Sequence, residues 1–453
     1  MLSDPKTAIV KMSAPLIVAY LVSNLQLFID SFWCSGLGPA AMSAISISTP
    51  IYWIVVYVGN GIGVGVSAAV SRALGAKDKN RADGLARQSV LVMLLISLLV
   101  SAIMLVLCEP ILRFIGGDAD IGYRLDYVRP FVLFSYPLIM HGIFAGLMRA
   151  EGAAKKAMML SATAAGINMV LDPLLIYVLD FGLMGSSLAT VVSFSATTCV
   201  GFYLYLGGRM YVRPDFKRLR FDREQLADIF SVGIPHMFEL ILIPVLVIPQ
   251  NSFIYDCGGS NGMIAYNYPY QFVMMAAIPS FAITAAMISV TSAAWGQNDP
   301  SKAREGYRFS LKLCLCIALV LAATIFVLAD LLIDVFTHTE ETRYLHEEMS
   351  HVLKIYCLII PMMSCVCFGS SMLQSLKFAQ YAMVTTLSRE VLFIVFFYFA
   401  SRVSMDAIYW SFVLVQMLAA VAMMAISRKS LKRRVERSAG ASASAFRTSA
   451  GSR

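Results

Sequence analysis

Apolar runs of membrane-crossing length recur along nearly the whole of this 453-residue chain. No other feature constrains its fold as tightly. A hydrocarbon core roughly 30 Å thick is crossed by about 20 residues of helix, and the runs here reach that length. The spacing predicts twelve helical spans, over 8–33, 42–72, 86–112, 122–147, 156–179, 183–207, 225–254, 264–293, 307–334, 345–373, 380–401 and 405–427. With 58% hydrophobic and 14% charged residues, the chain lacks the polar surface that a soluble protein of this length carries. The fold class is therefore an all-α integral membrane protein.

A net charge of +8 does not point to nucleic acid, because the basic residues form no single patch. They occupy alternate short loops, around Arg72–Arg81, Arg149–Lys156, Arg209–Arg220, Lys302–Arg308 and Lys377, and the C-terminal tail. Loops on the other side are neutral or acidic, as at Asp330, Asp334, Glu340, Glu341, Glu347 and Glu348. This alternation places both termini in the cytoplasm and requires an even number of spans. The tail segment Arg428–Arg437 reads as a topology anchor touching anionic lipid, and Ser438–Arg453 as disordered. Nine cysteines contain no C-x-x-C; Cys314/Cys316 and Cys365/Cys367 point in different directions on a helix and read as small apolar fillers. The first apolar run is too long for a signal-peptide core and is expected to remain in the mature protein.

The chain also repeats itself. Ala73–Ala82 (ALGAKDKNRA) follows the second span and Ala294–Ala303 (AWGQNDPSKA) the eighth; Ser13-Ala-Pro15 pairs with Gly233-Ile-Pro235, and Met148–Met158 with Leu373–Met383. The offset grows only from about 220 to 225 residues. An even number of spans per half gives both halves one orientation, related by an axis along the membrane normal. The expected organisation is a six-helix lobe over 1–208, a basic linker over 209–223, a second six-helix lobe over 224–427, and a tail over 428–453.

Ionisable groups inside spans are costly and usually functional. Asp30 lies near the outer end of the first span, and Asn168 and Asp172 share one face of the fifth at i, i+4 spacing. At about 1.5 Å per residue, Thr190 on the sixth span and Tyr127 on the fourth reach a similar depth. Two carboxylates, an amide oxygen and two hydroxyls suit a hard cation such as Na⁺, or a proton shared between acids. Pro173 cannot donate to the carbonyl of Met169, and Pro15 leaves that of Lys11 free. The alternative is that these groups only bond packed helices together. By the repeat offsets Asp30 matches Gln250, while Asn168 and Asp172 match Phe393 and Phe397. The second half is thus expected to be neutral there, with the ion site confined to the first.

These residues resemble the multidrug and toxic compound extrusion (MATE) transporters. The likeness rests on Pro15 followed by Phe28-Ile-Asp30, and on a glycine-rich second span ending Ser71-Arg-Ala-Leu-Gly-Ala-Lys-Asp78. Arg149-Ala-Glu-Gly152 and Asn168-Met-Val-Leu-Asp-Pro173 complete it. It implies a V-shaped pair of six-helix bundles that exports organic, often cationic compounds in exchange for Na⁺ or H⁺. In the prokaryotic branch with an acidic pair in the first lobe, positions matching Asp30, Asn168, Asp172 and Thr190 form the cation site, with a tyrosine matching Tyr127 beside it. Other branches place an acid on the seventh helix. Glu239 lies there, one turn beyond His236 and closer to Pro235 than that pattern has it. Either Glu239 is a second protonation or substrate-contact point, or it pairs internally with His236. His141 reads as a packed polar residue.

The function expected is a secondary antiporter in the plasma membrane, monomeric, needing no cofactor beyond Na⁺ or H⁺ as coupling ion. Gly59-Asn-Gly-Ile-Gly-Val-Gly65 is no nucleotide loop, and no G-x-x-x-x-G-K-[ST] occurs, against an ATP-driven pump. Its glycines let helices approach and bend. An intramembrane enzyme would need a set such as H-E-x-x-H, which His236-Met-Phe-Glu239 lacks. A flippase for lipid-linked precursors is the rival within transport, although few Arg or Lys are expected inside the spans. The methionines and aromatics read mostly as packing or lipid-facing residues, with an adaptable substrate pocket as the alternative.

Overall fold

The computed structural model describes residues 4–118, 120–214, 221–334, 337 and 343–450. Lys217, Arg218 and Arg220 of the basic linker, Glu340 and Glu341, and the last three residues of the tail lie outside them. The described residues are mostly helical: α1 Pro5–Ser35, α2 Pro39–Gly75, α3 Lys79–Gly116, α4 Ile121–Leu133, α5 Ser135–Ala150, α6 Ala154–Pro173, α7 Gly182–Leu206 and α8 Arg223–Gly296. There follow α9 Pro300–Val327, α10 Ala329–Asp334, α11 His346–Tyr356, α12 Ile359–Ser375, α13 Ala379–Ala400 and α14 Met405–Ala450.

Among the described residues nine helices are long and apolar enough to cross a membrane, and two bent pairs bring the number to eleven. The twelfth is hidden in α8. Its 74 residues would extend about 110 Å, far more than a bilayer needs. Gly259 divides it with φ 59° and ψ −153°, a conformation that only glycine adopts without strain. A loop was expected over 255–263; one residue makes the break instead.

The fourth span of each half is bent, by 54° between α4 and α5 and by 42° between α11 and α12. Pro137 and Pro361 stand in the first turns of α5 and α12. Neither can donate to the carbonyl four residues back, at Leu133 and Cys357, and both rings crowd it. The bends therefore repeat with the sequence. In α14 the backbone stays helical to Ala450, where the sequence reads as a disordered tail. The segment is rich in alanine and lacks proline, so nothing in it forbids a helix.

Packing divides the chain into two compact units, Lys11–Ile241 and Met1–Val10 with Leu242–Arg453. The first takes in the opening of α8. Gly59 and Gly63 of α2 face α5, where a Cβ on Gly59 would stand 2.5 Å from the Ile139 carbonyl oxygen. Gly61 and Gly65 face the start of α8 just as closely, a Cβ on Gly65 meeting the Gly233 nitrogen at 2.7 Å. Bare backbone on alternate residues thus packs two helices against one. The contact is sealed by a buried ion pair, Arg72 Nη2 to Asp228 Oδ1 at 2.7 Å, with Arg81 Nη2 3.2 Å from Glu224. The second unit closes around an aromatic core of Tyr266, Tyr356, Phe393, Phe397, Tyr409 and Phe412. None of the nine cysteines is in a disulfide.

Candidate functional site

In the first unit α1, α6 and α7 bring four expected residues together. Asn168 and Asp172 are fully buried on one face of α6, and Thr190 of α7 is buried beside them. The Asn168 amide nitrogen donates to Asp172 Oδ1 at 3.4 Å and to Thr190 Oγ1 at 3.3 Å, while its oxygen accepts from Gln26 Nε2 at 2.8 Å. Gln26 lies one turn before Asp30 on α1, and its side chain also reaches the Asp30 carboxyl. The Asp30 and Asp172 carboxyls lie within hydrogen-bonding reach of each other.

Buried Asp30 Oδ1 and Asp172 Oδ2 receive no donor. Two carboxylates in contact cannot both stay ionised in a low dielectric unless a proton or cation lies between them. Among the described residues no three His, Cys, Asp or Glu side chains converge as a metal site. The ligands available here are two carboxylates completed by amide and hydroxyl oxygens, a set suited to a hard ion. Tyr127 of α4 packs edge-on against Phe131 and against the buried cluster of Cys34, Ala41, Ala44, Ile176 and Leu183.

Pro173 sets the end of α6. Without an N–H there, the backbone widens into a five-residue π-helical turn, Leu174–Val178. That turn carries Tyr177, whose hydroxyl donates to the Trp33 carbonyl near the end of α1, with the rings 6.2 Å apart. The helices bearing the two acids are therefore joined one turn beyond them.

His236 and Glu239 are brought to each other, with Nδ1 3.1 Å from Oε2 on adjacent turns of α8. His141 meets Thr197 Oγ1 at 3.2 Å and packs against Phe194.

A family model, MatE, matches the chain twice, over residues 15–174 and 235–399. The chain belongs to the MatE family. The two matches start 220 and end 225 residues apart, the offsets read from the repeats. The curated relatives include Multidrug export protein MepA of Staphylococcus aureus. With the NCTC 8325 / PS 47 strain the chain is 26% identical over 268 residues, spanning 59% of each protein. With the MRSA252 strain it is 22% identical over 422 residues, 92% of each. The solved MatE-type structures include the outward-facing conformation of a multidrug resistance MATE family transporter of the MOP superfamily, at TM-score 0.91 and 26% identity. That likeness covers 96% of this chain and 98% of the other.

The duplication of this MatE chain also locates what sequence reasoning missed. Phe393 and Phe397 occupy the positions matching Asn168 and Asp172, and both are buried among aromatics. One turn earlier on α13, however, stands Glu390, 3% exposed. Its Oε2 accepts from Gln250 Nε2 at 3.0 Å, and its Oε1 from Arg389 Nη2 at 2.5 Å. The second half is therefore not neutral at this helix pair. The signal was present as an Arg-Glu step in the middle of an apolar span; matching at fixed offsets passed over it by three residues.

Proposed function

We propose that the chain is a secondary antiporter of the plasma membrane that exports organic compounds, often cationic and amphipathic, in exchange for Na⁺ or H⁺. The observation that carries this reading is the contact of Asp30 with Asp172, each holding a buried oxygen that lacks a donor. The relatives described as multidrug export proteins support the cargo class. Alternating basic and acidic loops support cytoplasmic termini.

A cation or proton arriving between the two carboxyls cancels their repulsion. The outer ends of α1, α6 and α7 then draw together, and substrate is displaced outward. Coupling needs only that cation and substrate favour different packings of these helices. Asn168 and Thr190 complete the oxygen ligands, Gln26 orients the amide of Asn168, and Tyr127 limits access of water. Glu239 stays outside the scheme because His236 already engages it.

The test is substrate flux in proteoliposomes under an imposed Na⁺ or H⁺ gradient, comparing the wild type with Asp30→Asn and Asp172→Asn. Full-rate transport with unchanged coupling in both variants overturns the reading. A response to only one of the two gradients names the ion.

A further inference from the structure

The buried charge of the second unit is not used by this mechanism. Gln250 and Glu390 join α8 to α13, as Asp30 and Asp172 join α1 to α6, but every acceptor is filled. Arg389 gives Glu390 Oε1 two contacts, from Nη2 at 2.5 Å and Nε at 3.1 Å. Gln250 supplies Oε2 and spends its other N–H on the Leu246 carbonyl at 3.1 Å. The Arg389 guanidinium also sits 5.8 Å over the Phe393 ring, an additional attraction for its charge. Both ionic side chains are nearly inaccessible, at 11% and 4%. Neighbouring titratable groups that interact with the pair are Tyr266 and Tyr270 of α8 and Cys367 of α12. None of them carries a fixed positive charge.

We infer that Arg389 is a built-in counter-cation, holding beside Glu390 the place that a mobile Na⁺ or H⁺ takes beside Asp172, and so keeping the second unit out of ion coupling. The inference rests on the antiport reading of the first unit. A guanidinium suits the role because it stays protonated at any physiological pH and binds a carboxylate through two nitrogens. A lone carboxylate at this depth would have to be neutralised by a proton or cation. With Arg389 tethered to the next residue, no diffusing ion is needed. Arg389 is thus a positioning residue that acts through Glu390 and sets how many coupling sites the molecule has.

The experiment uses the purified full chain carrying Asp30→Asn and Asp172→Asn, with thermal stability measured in NaCl against choline chloride and from mildly alkaline to mildly acid pH. This parent is expected to show no Na⁺ response, and only the acid response of groups that belong to neither helix pair; every further response is measured against it. Adding Arg389→Gln is expected to create a stabilisation by acid or Na⁺, because Glu390 is then uncompensated. Adding Arg389→Gln and Glu390→Gln together is expected to abolish that gain. No gained response in folded Arg389→Gln protein overturns the inference, as does a Glu390-dependent response already present in the parent. If Arg389→Gln alone fails to fold while the double replacement folds, charge compensation by Arg389 is upheld; failure of both means that shape, not charge, holds the pair, and overturns it. The antiport reading fails separately, through a wild type whose response to Na⁺ and acid equals that of the parent.

Discussion

The first and second units answer one problem in two ways. Each must hold its first and fifth spans together through a polar contact in an apolar surround. In the first unit the contact is acid against acid, with two buried oxygens left without donors. In the second it is amide, acid and guanidinium, closed on itself. The duplicated ancestor of both halves gave the same helices, so the difference lies in a few side chains. On the antiport reading, what marks an intramembrane carboxylate for an ion is its unmet valence and not its charge alone.

The largest expected effect comes from removing the charge of the first unit. Asp30→Asn or Asp172→Asn should weaken the linkage between cation and substrate by about 5–150-fold, read as the dependence of substrate affinity on Na⁺ or pH. A change in stability without a change in linkage would erase the distinction between the units. The matched pair of replacements Asn168→Ala and Phe393→Ala sharpens it. Phe393 lies 5.0 Å from Phe412 in the aromatic core, so its truncation should cost about 3 kcal/mol of stability and leave the cation response intact. Asn168→Ala should do the reverse, altering the response more than the melting temperature.

Smaller effects follow at the edges of the site. Gln26→Leu removes the donor to Asn168 and should weaken the cation response by roughly 0.5–1.5 kcal/mol, or about two- to tenfold, without abolishing it. Glu151 gives the smallest effect and serves as a control for pH. It lies in the loop after α5, where burial pushes its carboxyl above the usual range even though the Tyr211 N–H donates to it at 2.8 Å. A raised acid binds its proton more tightly in the folded protein, so its contribution to stability falls as pH rises from the ordinary carboxylate range through the raised value. Glu151→Gln should flatten that part of the stability profile and leave ion coupling unchanged. A changed coupling would mean that the loop takes part in transport.

Much of this was legible in the residues themselves. Run length and loop charge gave twelve spans; the repeats gave a register that the two family matches reproduce. Asn168 and Asp172 fall on one face by helical spacing, and the structure keeps them there. Contact between Asp30 and Asp172 is less readable, because it depends on how α1 packs against α6, and local spacing carries no such information. Pro173 signalled a disturbance but not its form, since a missing N–H can be met by a kink or by a wider turn. Gly259 was legible only as a glycine in a run of polar residues, and Arg389 with Glu390 was hidden by a register argument that asked about two positions and ignored the next turn.

The exchange of helix ends between the units has a consequence for assembly. The glycine face of α2 at Gly61 and Gly65 is covered by Met237 and Gly233, which the ribosome reaches only after the basic linker has been made. A chain stopped in that linker would display bare backbone to lipid and leave Arg72 without Asp228. The two halves, produced as separate fragments, would each lack a strip of the other and would have to be completed by trading it.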